Sequence, residues 1–250
     1  ELYAAINKID FSKIEIPKCD IYNIANYKIG SWYEKNEEYD SAYKYYDNEI
    51  KQYNKDEMAL KYYIALGDKA RMLFMQKKYD EAIKLYSEIL SNDYLFDGET
   101  KCGLLSLYSL CYFQKKDYKN ALSINKKHRD FIKNSIGINN IEYIYALSDL
   151  YTISIESTDY PNAINIAKEI LQIHEHIPVF TEDAHYKYLL LLADAYFYNK
   201  NLNEAIELYE TILESSSGSL WYECATQLSN AYFSIESDKK ALNLTDSIIK

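Results

Sequence analysis

Glycine and proline are scarce in this 250-residue chain, with six of the first and three of the second. A β-sandwich or barrel with many tight turns draws heavily on both, so the shortage excludes those classes. No stretch approaches the roughly 18 uninterrupted apolar residues of a membrane span, and no signal peptide is visible. The chain starts at Glu1 without a methionine, which leaves an excised signal, anchor or N-terminal domain open. Cys19, Cys102, Cys111 and Cys224 form no CxxC pair and no dense framework. On one straight helix Cys102 and Cys111 would stand about 13 Å apart by axial rise alone, too far for a disulfide. Reduced, buried thiols are therefore expected, which favours the cytoplasm. An extracytoplasmic domain of a membrane-anchored regulator stays open beside it.

Positive charge is also in deficit. Lys and Arg number 28 against 38 Asp and Glu, a formal net charge of −10. Phosphate neutralisation needs clustered cations, so this segment is not expected to bind nucleic acid. Lys77–Lys78, Lys115–Lys116, Lys126–Lys127 and Lys239–Lys240 are short runs beside inter-helix turns, and read as solvated helix ends. Chemical motifs are missing too: there is no Gly-rich phosphate loop, nucleophile elbow or zinc-protease pattern. The metal-like cluster is His174-Glu175-His176 with Glu182, Asp183 and His185. His-x-His on a helix splays its rings roughly 200° apart, so a shared metal requires the helix to end there, as Pro178 allows. A polar inter-repeat loop is the plainer reading, and His128 reads as a packing residue. No catalytic, cofactor or metal residue is assigned, and the chain is read as a non-enzyme. The Asn243-Leu244-Thr245 sequon falls inside a predicted helix and is taken as accidental.

What the chain has is tyrosine, 28 of them, and a period. Ala193–Leu213 sets the pattern. Two apolar-periodic segments flank a polar break at Asn199–Asn203, which is a helix–turn–helix unit. Aligning each unit on the alanine that opens its second helix gives Ala42, Ala82, Ala121, Ala163, Ala205 and Ala241. One residue later stand Tyr43, Ile83, Leu122, Ile164, Ile206 and Leu242. Three earlier come Tyr39, Tyr79, Tyr118, Tyr160, Leu202 and Asp238. Nine earlier come Tyr33, Leu73, Tyr112, Ser154, Tyr196 and Tyr232, and twelve earlier Gly30, Ala70, Ser109, Tyr151, Ala193 and Ser229. Small residues let paired helices approach, and aromatics fill the groove between them. No unit buries its apolar face alone, so the units stack.

At these residues the chain resembles the tetratricopeptide repeat family. Ile29-Gly30-x-x-Tyr33 followed by Ala42-x-x-x-Tyr46 matches the family pattern, as do Ala82-x-x-x-Tyr86 and Ala205-x-x-x-Tyr209. The match weakens where Asn125, Ala167 and Thr245 replace the second-helix aromatic. The first-helix tryptophan is absent (Asn26, Leu66, Leu189), the helix-ending proline is missing, and the period exceeds the family's roughly 34 residues. Helices one or two turns longer account for this, and such long units are similar to the sensor regions of bacterial regulators. The resemblance implies an all-α, right-handed α-solenoid of about six repeats forming a single domain, 1–250. The repeats are expected at about 20–53, 57–92, 99–134, 141–175, 182–215 and 220–250. A short helix and extension over 1–18 precede them. Asn92–Gly98, Gly137–Asn140 and His174–Pro178 read as breaks, Ser215–Ser219 as the most flexible linker, and Pro161 as a first-turn proline. Ala241, Leu244, Ile248 and Ile249 still form an apolar stripe on the last helix. A continuing chain or a homodimer through that terminal repeat is expected to cover it.

In this family the first helices line a concave groove that holds an extended peptide or a partner's helix. Eight residues before each alanine stand Glu34, Phe74, Phe113, Ile155, Phe197 and Phe233, and eleven before stand Ser31, Arg71, Leu110, Thr152, Asp194 and Asn230. Tyr27 lies one turn before Ser31. If both columns face the groove, a row of apolar side chains runs between small and polar ones. The other reading is that the long helices pack inward and cover the row. Arg71 is the one basic residue in these columns, so the family's carboxylate clamp is not expected. The chain is read as a non-catalytic protein- or peptide-binding module, the scaffold or sensory region of a larger bacterial protein. The alternative is a ligand-responsive domain of a transcriptional regulator whose output domain lies outside this chain.

Overall fold

The computed structural model describes residues 18–176 and 182–249. The helix expected over 1–18 and the break around Pro178 therefore fall largely outside the described residues. Among those residues the chain is all-α, an α-solenoid of helical repeats with no strand. Its helices are α1 (Lys18–Lys35), α2 (Tyr39–Ile50), α3 (Ala59–Met75), α4 (Tyr79–Leu90), α5 (Gly98–Gln114) and α6 (Tyr118–Ser135). They continue with α7 (Ile141–Glu156), α8 (Tyr160–His174), α9 (Glu182–Tyr198), α10 (Leu202–Ser215), α11 (Gly218–Ser234) and α12 (Asp238–Ile249). Odd-numbered helices open the six repeats and even-numbered helices close them.

The chain divides into two compact units, Glu1–Ile124 and Asn125–Lys250. In the first, each helix from α1 to α5 packs on its chain neighbour, and α3 also touches α5. In the second, α7 to α12 pack in the same way, and α9 touches α11. The first helices α3 and α5 in one unit, and α9 and α11 in the other, thus touch side by side.

The alignment columns explain the packing. All six alanines opening the second helices are fully buried. At the residue twelve before, Ala70, Ser109, Ala193 and Ser229 are buried too, as is the larger Tyr151. Gly30 shows why small side chains are needed there: a Cβ on it would sit 2.9 Å from the Tyr46 ring. Ser109 and Ser229 settle their hydroxyls on the carbonyls of Ala121 and Ala241, at 3.0 and 3.3 Å. Tyr46, Tyr86 and Tyr209, four residues after their alanines, are fully buried, as are Ile89, Ile170 and Ile212 one turn on. Each such isoleucine contributes about 2 kcal/mol by burial.

The turn inside every repeat has one conformation. Glu37, Lys77, Lys116, Thr158, Lys200 and Glu236, each five residues before its alanine, have φ between 58° and 66°. Two backbone bonds close each turn. In the first repeat Glu37 N–H donates to Glu34 O (3.0 Å) and Glu38 N–H to Tyr33 O (2.9 Å). The same pair recurs in all six repeats, for example Lys200 to Phe197 (3.0 Å) and Asn201 to Tyr196 (2.9 Å). This is the Schellman closure, made here with no glycine at the left-handed residue. A side chain there costs roughly 1 kcal/mol per turn.

Connections between repeats are individual. Asn92–Gly98 holds a 3-10 turn over Asp93–Leu95, and Asp97 caps α5 by accepting from Thr100 N–H at 2.8 Å. Asn140 caps α7 by accepting from Tyr143 N–H at 2.9 Å. Pro161 stands in the first turn of α8, where its missing N–H goes unneeded. The serine-rich stretch Ser215–Ser219 holds a connection of two residues between helices. α10 runs to Ser215 and α11 begins at Gly218, whose φ of +61° makes the reversal.

Candidate functional site

Aromatic pairing decides much of what the first-helix columns present. Phe74 meets Tyr79 across its turn with ring centroids 5.6 Å apart, and Phe113 meets Tyr118 at 5.9 Å. The tyrosine three residues before the alanine thus covers the phenylalanine eight before it. Phe197 faces Leu202 at that position, and its ring instead makes an edge contact with Tyr198 at 5.7 Å. Ile155 and Phe197 are half-buried. Phe233 faces Asp238 and stays 46% exposed. The column eight before the alanines is therefore partly self-covered.

In the column eleven before, Ser31 and Leu110 are half-buried, and Thr152 and Asn230 are exposed. The Thr152 hydroxyl donates to Ser148 O at 3.0 Å. Asn230 Nδ2 donates to Gln227 Oε1 at 3.4 Å. Asp194 accepts a 2.6 Å hydrogen bond from the Tyr209 hydroxyl. Burial, with Glu223 as a like charge nearby, pushes its carboxyl up to about 6 despite that bond.

Arg71 has the richest surroundings. Its guanidinium bonds both Glu34 and Asp68, with Asp68 Oδ1 at 2.5 Å. Glu34 in turn accepts from the Tyr46 hydroxyl at 2.8 Å. Burial pushes the Tyr46 phenol up, and the Glu34 bond adds to it. Burial also raises the Asp68 carboxyl, against the pull of Arg71. For Arg71 burial opposes the charge, but Asp68 and Glu34 outweigh it and the pKa rises. The sequence shows Arg71 as the lone inner cation and Glu34 as a member of the inner column, but neither their bond nor Asp68. Asp68 sits three residues before Arg71 on the same helix face, a signal that was available.

Beside this network, between α3 and α5, lies a cavity of about 190 Å³. Tyr63, Ile64, Leu104 and Leu107 supply apolar wall, Gly67 and Gly103 leave it open, and Asp68 and Arg71 form its charged side. The first helices of this unit also expose Ile24 (59%), Tyr27 (42%) and Ile64 (47%). Ile24 and Tyr27 are three residues apart and share one face of α1.

The histidines are placed otherwise. His174 is buried at the end of α8, its ring stacked on His185 at 5.5 Å and meeting Tyr188 edge-on at 5.2 Å. Burial and then His185 lower its pKa. His176 is exposed, with Nδ1 2.8 Å from Gln172 O. Among the described residues no group of three or more His, Cys, Asp or Glu side chains could hold a metal. His128 is buried, and desolvation lowers its pKa. Cys111 and Cys224 are buried free thiols pushed up to about 12 by desolvation. Among the described residues no helix is long and apolar enough to cross a membrane.

With the columns, turns and buried tyrosines in place, two family matches coincide with the best-formed repeats. The tetratricopeptide repeat family matches residues 27–93 and again 187–219. Over these two stretches the chain is built of tetratricopeptide repeats. Solved structures agree in fold at low identity. RapI in its apo form is 14% identical, with a TM-score of 0.73 over 98% of this chain and 68% of that one. The tetratricopeptide-repeat sensor protein of the STAND ATPase class from Pyrococcus horikoshii is 15% identical. It has a TM-score of 0.71 over 99% of this chain but 38% of that one. A tetratricopeptide repeat protein from Parabacteroides merdae is 15% identical, with a TM-score of 0.67 over 91% and 79%. No curated protein matches the sequence. Tetratricopeptide repeats are protein-interaction scaffolds, typically non-catalytic, that bind proteins or peptides.

Proposed function

We propose that this tetratricopeptide-repeat chain is a non-catalytic binding module, the scaffold or sensory part of a larger bacterial protein, with a peptide or protein segment on its first-helix face. The observation that carries this reading is the apolar exposure of first helices in this unit, Ile24 and Tyr27 on α1 and Ile64 on α3, the last of them in the wall of the cavity between α3 and α5. Exposed apolar rows bounded by polar side chains are the usual mark of interaction surfaces. The net charge of −10 supports a partner other than nucleic acid. The expected contact set keeps Tyr27, Ser31, Arg71 and Leu110 in the first unit, and Thr152, Asn230 and Phe233 in the second.

A second reading rests on the fold likeness to the Pyrococcus horikoshii STAND sensor. Ligand binding to the repeats would bias an output domain outside this chain. The exposed Leu242 on α12 also supports self-association through the terminal repeat.

A thermal-shift screen against a peptide and metabolite library, with and without zinc, tests these readings. A ligand at about a hundred times its Kd adds roughly 2.7 kcal/mol of stability. The expected shift comes from a peptide and disappears in Tyr27→Ser with Ile64→Ser, a pair whose exposed positions leave the fold intact. No shift together with dimers by light scattering would assign the apolar rows to assembly and remove the sensor reading. A stoichiometric zinc effect would revive the reading of an enzyme built on His174, His176 or His185.

A further inference from the structure

The cavity between α3 and α5 is held open at a cost to its own helices. Gly67 and Gly103 both lie inside helices, where glycine is less stable than alanine. A Cβ on Gly103 would meet nothing within 4 Å, and one on Gly67 would meet only Leu104 Cδ2 at 3.5 Å. Packing therefore does not demand a bare backbone at these two sites. Their effect is to leave the space empty. At about 190 Å³ it is smaller than the ~300–1,000 Å³ that small-molecule sites occupy. It has the size for one large apolar side chain.

Its charged side is unbalanced. Arg71 is bonded by both Glu34 and Asp68, so two carboxylates share one guanidinium. Neighbouring lysines on the same two helices turn elsewhere: Lys69 binds Asp47 at 2.6 Å and Lys101 binds Asp93 at 2.5 Å. A carboxylate ligand would find the guanidinium already neutralised, whereas a cation would find the excess negative charge.

We propose that the Gly67–Gly103 cavity takes a Leu-, Ile- or Phe-type side chain of a peptide segment whose adjacent Lys or Arg pairs with Asp68. This rests on the peptide-binding reading above and adds the anchor and the sign of charge. The recognised class is a basic-apolar segment, in contrast to an acidic segment or a free C-terminal carboxylate.

The test uses the whole chain and an array of acetylated, amidated nonapeptides at low ionic strength. Each peptide holds one Leu, Ile or Phe flanked by Lys in one set and by Glu in the matched set. The best Lys-flanked peptide is expected to bind on the order of tenfold more tightly than its Glu-flanked counterpart. Asp68→Asn is expected to erase that ratio. Gly103→Leu, which fills the cavity, is expected to weaken the Lys-flanked peptide by about tenfold or more with an undiminished melting temperature. Gly103→Ala serves as the milder variant should leucine disturb the helix, with a smaller loss in the same direction. Equal or preferred binding of Glu-flanked peptides would overturn the charge assignment while leaving the peptide-binding reading intact. Lys-flanked binding indifferent to both Gly103 variants would overturn the cavity. Binding of neither set would sink this inference and the reading beneath it together.

Discussion

The same tyrosine, four residues after the alanine, is treated in opposite ways at Tyr46 and Tyr209. Both rings are fully buried, and both hydroxyls donate to a first-helix carboxylate, at 2.8 Å to Glu34 and 2.6 Å to Asp194. At Tyr46 the acceptor is bonded again by Arg71, which also ties down Asp68. At Tyr209 the acceptor meets the like charge of Glu223, and burial carries its carboxyl up to about 6. One repeat thus balances a half-buried carboxylate with a cation, and the other leaves its carboxyl raised without one. A buried phenol fixes where an acceptor must stand, but its neighbours decide how readily that acceptor takes up a proton.

Breaking the first arrangement should have the largest effect. Arg71→Met leaves two carboxylates uncompensated, and because the side chain is partly exposed the loss is about 2 kcal/mol. Urea unfolding at pH 8 measures it; a change within error would mean that Arg71 is dispensable to this network. Sharpening the second arrangement should act in the opposite direction. A carboxyl raised in the folded state, here from its ordinary 3.8 to about 6, contributes stability fully present below pH 3.8. That contribution is lost as the pH rises through about 6. Asp194→Asn is therefore expected to stabilise the chain by about 1–2 kcal/mol at pH 8 and to flatten the rise in stability between pH 8 and 4. Loss of stability in Asp194→Asn at pH 8 would reverse the comparison.

The hydroxyls themselves come next. Tyr209→Phe removes the sole hydrogen bond found for Asp194 among the described residues, and should cost about 1 kcal/mol. Tyr46→Phe should cost less, about 0.5 kcal/mol, because Arg71 still serves Glu34. Paired melting curves at pH 7 rank the two, and the reverse order would deny that the cation matters. The smallest effect should be indifferent to the contrast. Lys77→Gly and Lys200→Gly, one in each unit, should each stabilise by roughly 0.5 kcal/mol by relieving a left-handed side chain.

Much of this fold was readable because periodicity records burial. The alanine column, the small partner twelve residues before it and the buried Tyr46, Tyr86 and Tyr209 follow directly from the repeat. The left-handed turns did not, because Glu37, Lys77, Lys116, Thr158, Lys200 and Glu236 lack the glycine or asparagine that signals them. Within Ser215–Ser219 the serines do not announce where the next helix starts; Gly218, with its positive φ, opens it. At the candidate site the apolar columns were visible, but the pairing of Phe74 with Tyr79 depends on how the turn folds back. Glu34 reaches Arg71 from 37 residues away, so only stacking of neighbouring repeats reveals the bond. Asp68, three residues before Arg71 on the same helix, is the part of the network that lies within local reach of the sequence.

Because each intra-repeat turn is closed by main-chain bonds at a residue of near-identical φ, the six joints are interchangeable. A segment running from one joint to the next, such as Lys77 to Lys116, can be copied or removed so that backbone meets backbone in matching geometry. No side-chain bond at the seam has to be reinvented. The array is in this sense a splice-ready text, whose length can change by whole clauses while its grammar stays the same.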